Sequence, residues 1–203
     1  MDTNHTLLAV FKPLLIHDIA IVNITLSKTV VCQGYNCSDI NVTVANQGNY
    51  TETFNLSAYA NDTATGNTTC IVTFMNVTLA IGTSTNLTFD WNTTSFAKGN
   101  YTISAYAEPV QGEINTANNN FTGGWVVVSM VGDLTGSSTN PWDFVPDGKV
   151  DGKDITIVAL CYGSAPGRPP PYTWNANCDV NGDGKLDGKD IAIVAIHYGQ
   201  VGP

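Results

Sequence analysis

Hydrophobic and polar residues alternate with a period of two along the first two-thirds of the chain. Between residues 18 and 130, short apolar and Thr-rich segments are broken by Gly, Asn and Asp. Strands with one buried face show this alternation, and turns favour these three residue types. The pattern predicts seven strands, over residues 19–26, 40–45, 53–59, 70–79, 86–91, 101–107 and 125–130. Seven short strands at this spacing predict a β-sandwich of two sheets.

The pattern changes near residue 131, where short helices are predicted instead of strands. Residues 147–163 align with residues 183–199 at a shift of 36 positions (183 − 147 = 36), so this part of the chain is duplicated. In the second copy, four apolar residues share one helical face before a terminal glycine: Ile191, Val194, Ala195 and Tyr198, followed by Gly199. We therefore predict a mainly β fold, with an all-β domain at 18–130 and a small α module at 131–203.

Residues 1–17 precede the predicted sandwich and form a segment of their own. Residues 7–16 are apolar except for Lys12 and Pro13, and this run is too short and too broken to span a bilayer. No longer apolar run occurs, so we predict no membrane span. The first residues also lack the basic end of a signal peptide. We expect 1–17 to pack on protein, either as an extra strand of its own sheet or as a donor strand in a neighbour.

Charge is scarce and unevenly distributed. The chain has 8 Lys and Arg against 17 Asp and Glu, a net charge of −9, which argues against nucleic-acid binding because that requires clustered basic residues. Nine of the acidic residues are Asp within 131–203, against eight acidic residues in the whole of 1–130. Asp residues concentrated in a short segment indicate cation binding.

The clearest chemical motif is a loop that begins at Asp179 and ends at Asp190. It fits the twelve-residue calcium loop, in which oxygens at positions 1, 3, 5, 7, 9 and 12 surround the ion. Gly184 supplies the sharp turn at position 6, and Asp190 stands where Glu is usual. The predicted ligands are Asp179, Asn181, Asp183, Lys185 through its carbonyl oxygen, Asp187 and Asp190.

A calcium loop followed by one helix, with no helix pattern before it and present in two copies, resembles a dockerin type I domain. The resemblance implies Ca²⁺ at two sites and a protein partner, namely a cohesin-like domain. Dockerins that bind cohesins often carry hydroxyl residues where this chain has Gly152-Lys153 and Gly188-Lys189. This departure leaves a second possibility open, in which the partner is another copy of the chain.

The first copy of the loop is irregular at its start. Its later positions match directly, which gives Asp147, Lys149 through its carbonyl oxygen, Asp151 and Asp154 as predicted ligands. Strict spacing would place Asp143 at position 1 and Val145, which has no side-chain oxygen, at position 3. The alternative is that Asp133 opens the loop and residues 136–146 are an insertion. We favour Asp133, because residues 132–135 resemble the start of a dockerin repeat.

The all-β part resembles the CARDB family, a cell-adhesion-related domain of bacteria and archaea with an immunoglobulin-like fold. The resemblance lies in the opening at 18–21, the turn at 42–48, the strand entry at 99–101 and the closing segment at 113–119. It implies an immunoglobulin-like β-sandwich that serves as a spacer or an adhesion module.

Asn-x-Ser/Thr triplets are dense in the first part of the chain and absent from the last. Each is a potential N-glycosylation site. All precede residue 123, although four later Asn residues are present, so chance composition does not explain the set. Dense N-glycosylation beside a dockerin-like module leads us to expect an exterior location and an archaeal source. The acceptors are Asn4, Asn23, Asn36, Asn41, Asn49, Asn55, Asn61, Asn67, Asn76, Asn86, Asn92, Asn100 and Asn120.

The five cysteines cannot all pair within one chain. Cys161 and Cys178 flank the proline-rich link between the two loops, and a disulfide there would join one loop to the other. Cys32 and Cys37 share a predicted loop, with Cys70 as an alternative partner for either. The other interpretation of these three is that they are buried thiols.

We find no catalytic motif. There is no phosphate-binding loop, nucleophile elbow or zinc motif, and Glu108 and Glu113, the conceivable glycosidase pair, fall in the closing segment of the CARDB-like domain. We therefore predict a non-enzymatic, calcium-binding, N-glycosylated extracellular protein that acts as a cell-surface or filament subunit. The alternatives are a module that docks onto a cohesin-like receptor and an accessory C-terminal region of a secreted enzyme.

Overall fold

The computed structural model describes residues 14–140, 142–167 and 174–202, without the side chains of residues 37 and 38. Within these ranges the protein is a β-sandwich followed by two helices, which confirms the predicted mainly β fold class. Residues 1–13, the greater part of the predicted N-terminal segment, lie outside the described residues.

Eight strands form two sheets in the described part of the chain. They are β1 Ile19–Thr25, β2 Val30–Cys32, β3 Asn36–Asn46, β4 Glu52–Asp62, β5 Thr68–Leu79, β6 Ser84–Asn92, β7 Gly99–Ala107 and β8 Asn120–Ser129. One sheet has the order β1-β3-β6 and the other has the order β2-β8-β7-β4-β5. All neighbours are antiparallel except β2 and β8. The seven predicted strands are confirmed, and β2 is the strand that the sequence pattern missed.

The sandwich core follows from the alternation. Along β4, buried positions alternate with partly or fully exposed ones, so Leu56 and Ala58 are completely buried between the sheets. Full burial of a side chain the size of Leu56 contributes about 1.5–3 kcal/mol to stability. At one end, Trp91 packs edge-on against Phe96 and Tyr101, with ring centroids 4.9 and 5.3 Å apart.

The described end of the N-terminal segment, residues 14–18, runs beside the turn after β3 and forms no strand. Asn49 holds it through three hydrogen bonds. Its backbone N–H donates to the carbonyl of Ile16 at 2.8 Å, its Oδ1 accepts the N–H of Ile16 at 2.8 Å, and its Nδ2 donates to the carbonyl of Leu14 at 2.7 Å. Gly48 is required here, because a Cβ at that position would lie 2.3 Å from the Ile16 carbonyl oxygen. This stretch therefore contacts its own domain.

The two helices are α1 Gly152–Leu160 and α2 Gly188–Ile196. Each begins at an Asp that caps the helix, Asp151 or Asp187, and each has a second Asp three residues later that completes a capping box. No helix in the described part of the chain has the length and hydrophobicity needed to cross a membrane.

A second hydrophobic core lies under the helices, and part of it comes from the sandwich. Val30 and Cys32 of β2 pack with residues of the C-terminal module, including Leu134, Ile157 and Leu186. The strand that the pattern missed is thus the one that joins the two parts of the chain, so the C-terminal module does not build its core from residues 131–203 alone.

Candidate calcium sites

The loop from Asp179 to Asp190 is organised around the buried carboxylate of Asp179. Its Oδ1 accepts the backbone N–H groups of Gly182 at 2.9 Å and Asp183 at 3.2 Å, and its Oδ2 accepts the N–H of Gly184 at 2.9 Å. Gly184 has φ +77°, the left-handed conformation in which glycine avoids steric strain. The first half of the loop is therefore wound around the position-1 carboxylate.

Asp190 closes the loop from the helix side. Its Oδ1 accepts the N–H groups of Val180 at 3.0 Å and Asn181 at 3.3 Å, and its Oδ2 accepts the N–H of Asp187 at 3.0 Å. The side chain is fully buried. One carboxylate thus completes the capping box of α2 and ties the start of the loop to its end.

Three further oxygens are set by short local turns. Asn181 Oδ1 accepts the N–H of Asp183 at 2.8 Å, Asp183 Oδ1 accepts that of Lys185 at 3.1 Å, and Asp187 Oδ1 accepts that of Lys189 at 2.7 Å. Asn and Asp side chains favour this contact with the backbone two residues on. The sequence spacing therefore produces side-chain oxygens at regular steps along one loop.

The first loop repeats this geometry with Asp133 in the place of Asp179. Asp133 Oδ1 accepts the N–H of Asp147 at 3.1 Å and its Oδ2 accepts that of Gly148 at 2.9 Å, as Asp179 does with Asp183 and Gly184. Asp133 therefore makes the same hydrogen bonds as Asp179 at position 1, and Gly148 takes the left-handed turn with φ +82°. The role of Asp133 as a calcium ligand stays a prediction.

Asp154 fixes the rest of the alignment, because it contacts the first loop as Asp190 contacts the second. Its Oδ1 accepts the N–H groups of Leu134 at 2.8 Å and Thr135 at 3.0 Å, and its Oδ2 accepts that of Asp151 at 2.9 Å. Thr135 thus corresponds to Asn181 at position 3, a candidate ligand that the sequence analysis did not name. The sequence did contain a signal for it, because Thr135 follows Asp133 by two residues, as Asn181 follows Asp179.

The insertion between the two halves of the first loop is a small hairpin. Ser137 donates its N–H to the carbonyl of Val145 at 3.0 Å, and Gly136 forms an isolated bridge with Pro146. Asp143 lies inside it and accepts hydrogen bonds from Ser138 and Asn140. The strict-spacing alternative, with Asp143 as the first ligand, therefore does not match the structure.

The two repeats exchange backbone hydrogen bonds. Gly163, after α1, donates to the carbonyl of Leu186 in the second loop at 2.8 Å, and Gly199, after α2, donates to that of Val150 in the first loop, also at 2.8 Å. Leu186 and Val150 occupy equivalent loop positions and are both buried. Each loop is therefore supported by the segment that follows the other repeat's helix.

Burial makes these carboxylates costly to ionise. Desolvation raises the pKa of Asp133 to about 7, against the hydrogen bonds from Asp147 and Gly148 that lower it. Burial also raises the pKa of Asp154 and of Asp190. A cation in the loops would supply the missing positive charge.

The donor set fits Ca²⁺ in both loops. Calcium takes six to eight oxygens from carboxylates, amides and main-chain carbonyls. Among the described residues no three His, Cys, Asp or Glu side chains converge as a metal cluster by themselves. A calcium ion in either loop would therefore also need the carbonyl of Lys149 or Lys185 and the oxygen of Thr135 or Asn181 as ligands.

Comparison with known families places both parts of the chain. The CARDB family model matches residues 17–123, which is more than half of the sequence. The chain belongs to the CARDB family. A dockerin type I domain matches residues 141–197, a range that begins after Asp133. Dockerin type I domains bind calcium, and both kinds of domain are typically extracellular or on the cell surface. Neither domain is catalytic.

Solved structures similar to the chain include other CARDB domains. A CARDB domain from Pyrococcus furiosus, crystallised in complex with di-metal ions, is 25% identical, covers 59% of this chain and 99% of its own, and has a TM-score of 0.46. A domain assigned to a cell surface protein of Methanosarcina acetivorans is 27% identical, covers 56% of this chain and 92% of its own, and has a TM-score of 0.43. No curated protein matches the chain.

Within the CARDB domain, the two glutamates considered as a glycosidase pair have structural contacts. Glu113 accepts the backbone N–H groups of Ile19 at 2.6 Å and Val110 at 2.9 Å, and so ties β1 to the closing segment. Glu108 accepts the amide of Asn55 at 2.9 Å. These contacts agree with the non-catalytic nature of the family.

The sequon asparagines of the CARDB domain are accessible. Asn4 lies outside the described residues, and none of the other twelve is buried. Nine are exposed: Asn23, Asn36, Asn49, Asn67, Asn76, Asn86, Asn92, Asn100 and Asn120; the remaining three, Asn41, Asn55 and Asn61, are partly exposed. By contrast Asn46 and Asn119, which lack a sequon, are buried. Glycosylation of the described sites stays a prediction that this distribution supports.

The cysteines fall into two groups. Cys161 and Cys178 are both buried in the dockerin core, with their Sγ atoms 2.7 Å apart. Cys32 is buried at the junction, where burial raises its thiol pKa to about 11, and its Sγ accepts the N–H of Gly132 at 3.3 Å. Cys70 lies exposed on the edge strand β5. All four cysteines whose side chains the structure describes, Cys32, Cys70, Cys161 and Cys178, are free thiols here, and the Cys37 side chain is not described.

Proposed function

We propose that this protein is a calcium-dependent protein-docking module carried on an N-glycosylated extracellular spacer. The observation that carries the proposal is the pair of loops wound around Asp133 and Asp179 and supported reciprocally through Val150 and Leu186. Ca²⁺ would neutralise the buried carboxylates and hold both helices in place. We assign 18–130 to the spacer, 131–203 to the docking domain and 1–17 to a contact with the sandwich or with a neighbour.

The docking surface that we propose is apolar and duplicated. Leu160, the last residue of α1, and Tyr162, which follows the helix, are each 57% exposed. Their equivalents in the second repeat, Ile196 and Tyr198, are 76% and 62% exposed. Large exposed apolar residues in matched positions suit a protein partner, because exposed apolar patches mark interaction sites and interface cores are apolar and enriched in tyrosine. The patch lies outside the sequon-rich domain, so glycans there would leave it uncovered.

The helix starts named from the sequence contribute to the same region. Gly152, Lys153 and Thr156 of α1 line a shallow groove together with Tyr198 of the other repeat. A partner bound there would contact both repeats at once. We propose a cohesin-like domain as this partner. It would contact Gly152-Lys153 and Gly188-Lys189, where cohesin-binding dockerins often carry hydroxyl residues.

Self-assembly is the second candidate, and it rests on the described end of the N-terminal segment. Leu14, Leu15 and Ile16 are 77%, 52% and 47% exposed beside the sandwich, and they continue an apolar run in the sequence. A neighbouring sheet edge could pair with such a segment, as in donor-strand assembly. In this case the protein would be a subunit of a surface filament, and its sequons would favour an archaeal source.

Light scattering after size-exclusion chromatography tests the two candidates with natively glycosylated protein, in Ca²⁺ and in a chelator. A monomer that binds a cohesin-domain panel only with Ca²⁺ supports the docking proposal. That binding should be lost in the double variant Tyr162→Ser/Tyr198→Ser and kept in the control Tyr106→Ser, which removes an exposed tyrosine of the sandwich. Large oligomers that disappear when residues 1–13 are deleted support self-assembly. A monomer that binds no cohesin and no calcium overturns both.

A further inference from the structure

The dockerin core contains a pair of thiols in contact. Cys161 caps the C-terminus of α1, and Cys178 ends the 3₁₀ turn Ala176–Cys178, directly before Asp179. Both are free thiols here, and their Sγ atoms are 2.7 Å apart, longer than the roughly 2.05 Å of a disulfide bond. The residues are 1% and 0% exposed, so the two sulfur atoms face each other inside the core. Extracellular proteins keep cysteine pairs of this kind oxidised.

The third buried cysteine nearby has a different contact. Cys32 belongs to the same core, but its Sγ accepts the backbone N–H of Gly132. Cys178 in turn contacts Cys161 and, at 3.7 Å, the carbonyl of Ile157 in α1. The geometry therefore selects one partner for Cys178 among the described cysteines.

We propose that Cys161 and Cys178 form a disulfide in the extracellular protein and that this bond preorganises the second calcium loop. The calcium part of the proposal rests on the proposed function. The thiolate of one cysteine attacks the disulfide of an oxidant, such as oxidised glutathione or a dithiol oxidoreductase. The second thiolate then displaces the oxidant's sulfur, so the protein loses two protons and two electrons and the oxidant is released as thiol.

The bond would act on the second loop because of where Cys178 lies. It would close the chain across the proline-rich link at 166–171 and anchor the residue that precedes Asp179 to the end of α1. Asp179 is the carboxylate around which that loop is wound. In the second repeat His197 stands at the place of Cys161, so the first loop has no such bond.

Peptide mapping tests the disulfide itself. Protein exported to an oxidising compartment, or refolded with oxidised and reduced glutathione, is unfolded with an alkylating agent and digested with chymotrypsin without reduction. We expect the peptides with Cys161 and Cys178 to be linked, and to separate on reduction. Alkylation of both residues before reduction, or a link from Cys178 to Cys32, Cys37 or Cys70, overturns the proposal.

Calcium titrations followed by NMR test the effect on each loop separately. The backbone amides of Gly148 and Gly184, at equivalent turns, report the first and second loop in the same sample. We expect reduction to weaken calcium binding several-fold at Gly184 and less at Gly148. The double variant Cys161→Ala/Cys178→Ala should behave like reduced protein, and Cys70→Ser, which removes an exposed thiol, like oxidised wild type.

The outcomes separate the two parts of the inference. Equal calcium affinity at Gly184 in oxidised and reduced protein overturns preorganisation, although the mapped bond stands. No response of Gly184 in either form overturns the proposed calcium function of the second loop and, with it, the preorganisation, while the peptide map still decides whether the disulfide exists.

Discussion

Asn177 Oδ1 accepts the backbone N–H of Val30 at 3.0 Å, which joins the turn before the second calcium loop to strand β2 of the sandwich. The same oxygen accepts the N–H of Thr29 at 2.8 Å, and Asn177 Nδ2 donates to Thr29 Oγ1 at 3.1 Å. Lys28 donates to the backbone carbonyl of Asp179. The CARDB domain therefore contacts the dockerin domain at the start of its second loop.

Removal of the Asn177 side chain should destabilise this junction. Asn177→Ala leaves two backbone N–H groups of residues 29 and 30 without their acceptor in a largely buried site, which costs about 2 kcal/mol. We expect the free energy of unfolding in urea to fall by that amount. Asn140→Ala, an exposed amide in the inserted hairpin, is the control. Equal losses in both variants would show that the contact across the junction contributes nothing.

The assignment of position 1 in the first loop leads to a second prediction. Asp133→Ala should remove one of two calcium sites in isothermal titration, because Asp133 organises the turn at Asp147 and Gly148. Asp143→Ala should keep both sites, because the Asp143 carboxylate accepts its hydrogen bonds from Ser138 and Asn140 of the hairpin among the described residues. Loss of a site in Asp143→Ala but not in Asp133→Ala would instead place Asp143 at position 1, with no insertion in the loop.

Much of the fold was predictable because its elements obey local rules. Alternation revealed the seven long strands, and the twelve-residue spacing revealed the second loop with its helix. Strand β2 escaped because it has three residues, all buried, so it shows no alternation. Its burial depends on Leu134 and Ile157, which are distant in sequence, and no local pattern reports such a contact.

The first loop was only partly predictable for a related reason. Its later positions align with the second repeat, but the hairpin separates Asp133 and Thr135 from them along the chain. What identifies these two residues is the hydrogen bonding of Asp133 to Gly148 and of Thr135 to Asp154. In the sequence, only the resemblance of residues 132–135 to a repeat start favoured Asp133, because the insertion removes the regular spacing to Asp147.

Alanine substitutions at two glycines of the second repeat compare a position that needs a left-handed backbone with one that does not. Gly184 has φ +77°, so Gly184→Ala should destabilise the protein by about 1 kcal/mol and weaken calcium binding in the second loop. Gly188 begins α2 and a Cβ there would meet nothing within 4 Å. Gly188→Ala should be neutral or stabilising by up to about 1 kcal/mol. Thermal unfolding in Ca²⁺ compares them, and a larger loss at Gly188 would contradict the assignment of Gly184 to the sharp turn.

The buried carboxylates predict opposite pH dependence with and without calcium. Burial raises the pKa of Asp133 from 3.8 to about 7, so the folded calcium-free protein retains a proton that the unfolded chain has released. Its stability should therefore fall as the pH rises from about 4 to about 7. With Ca²⁺ the ionised form is bound, and stability should rise over the same range.

Urea unfolding at a series of pH values measures this effect, with Asp133→Asn as the control that cannot ionise. The variant should show a flatter pH dependence without calcium. Asp154 and Asp190, whose pKa values burial also raises, should contribute to the slope that remains. A calcium-free wild type that gains stability between pH 4 and pH 7 would contradict the prediction.

The glycan acceptors should not be equally occupied. Asn61 Nδ2 donates to the carbonyl of Thr102 at 3.0 Å and to Ser104 Oγ at 2.9 Å on the neighbouring strand, so a sugar on that nitrogen would replace a hydrogen that the sheet uses. Asn67 and Asn86 are exposed. Glycopeptide mass spectrometry of the native protein should find sugar at Asn67 and Asn86 and none at Asn61. Full occupancy at Asn61 would mean that the amide contact forms only when the sequon is left unmodified.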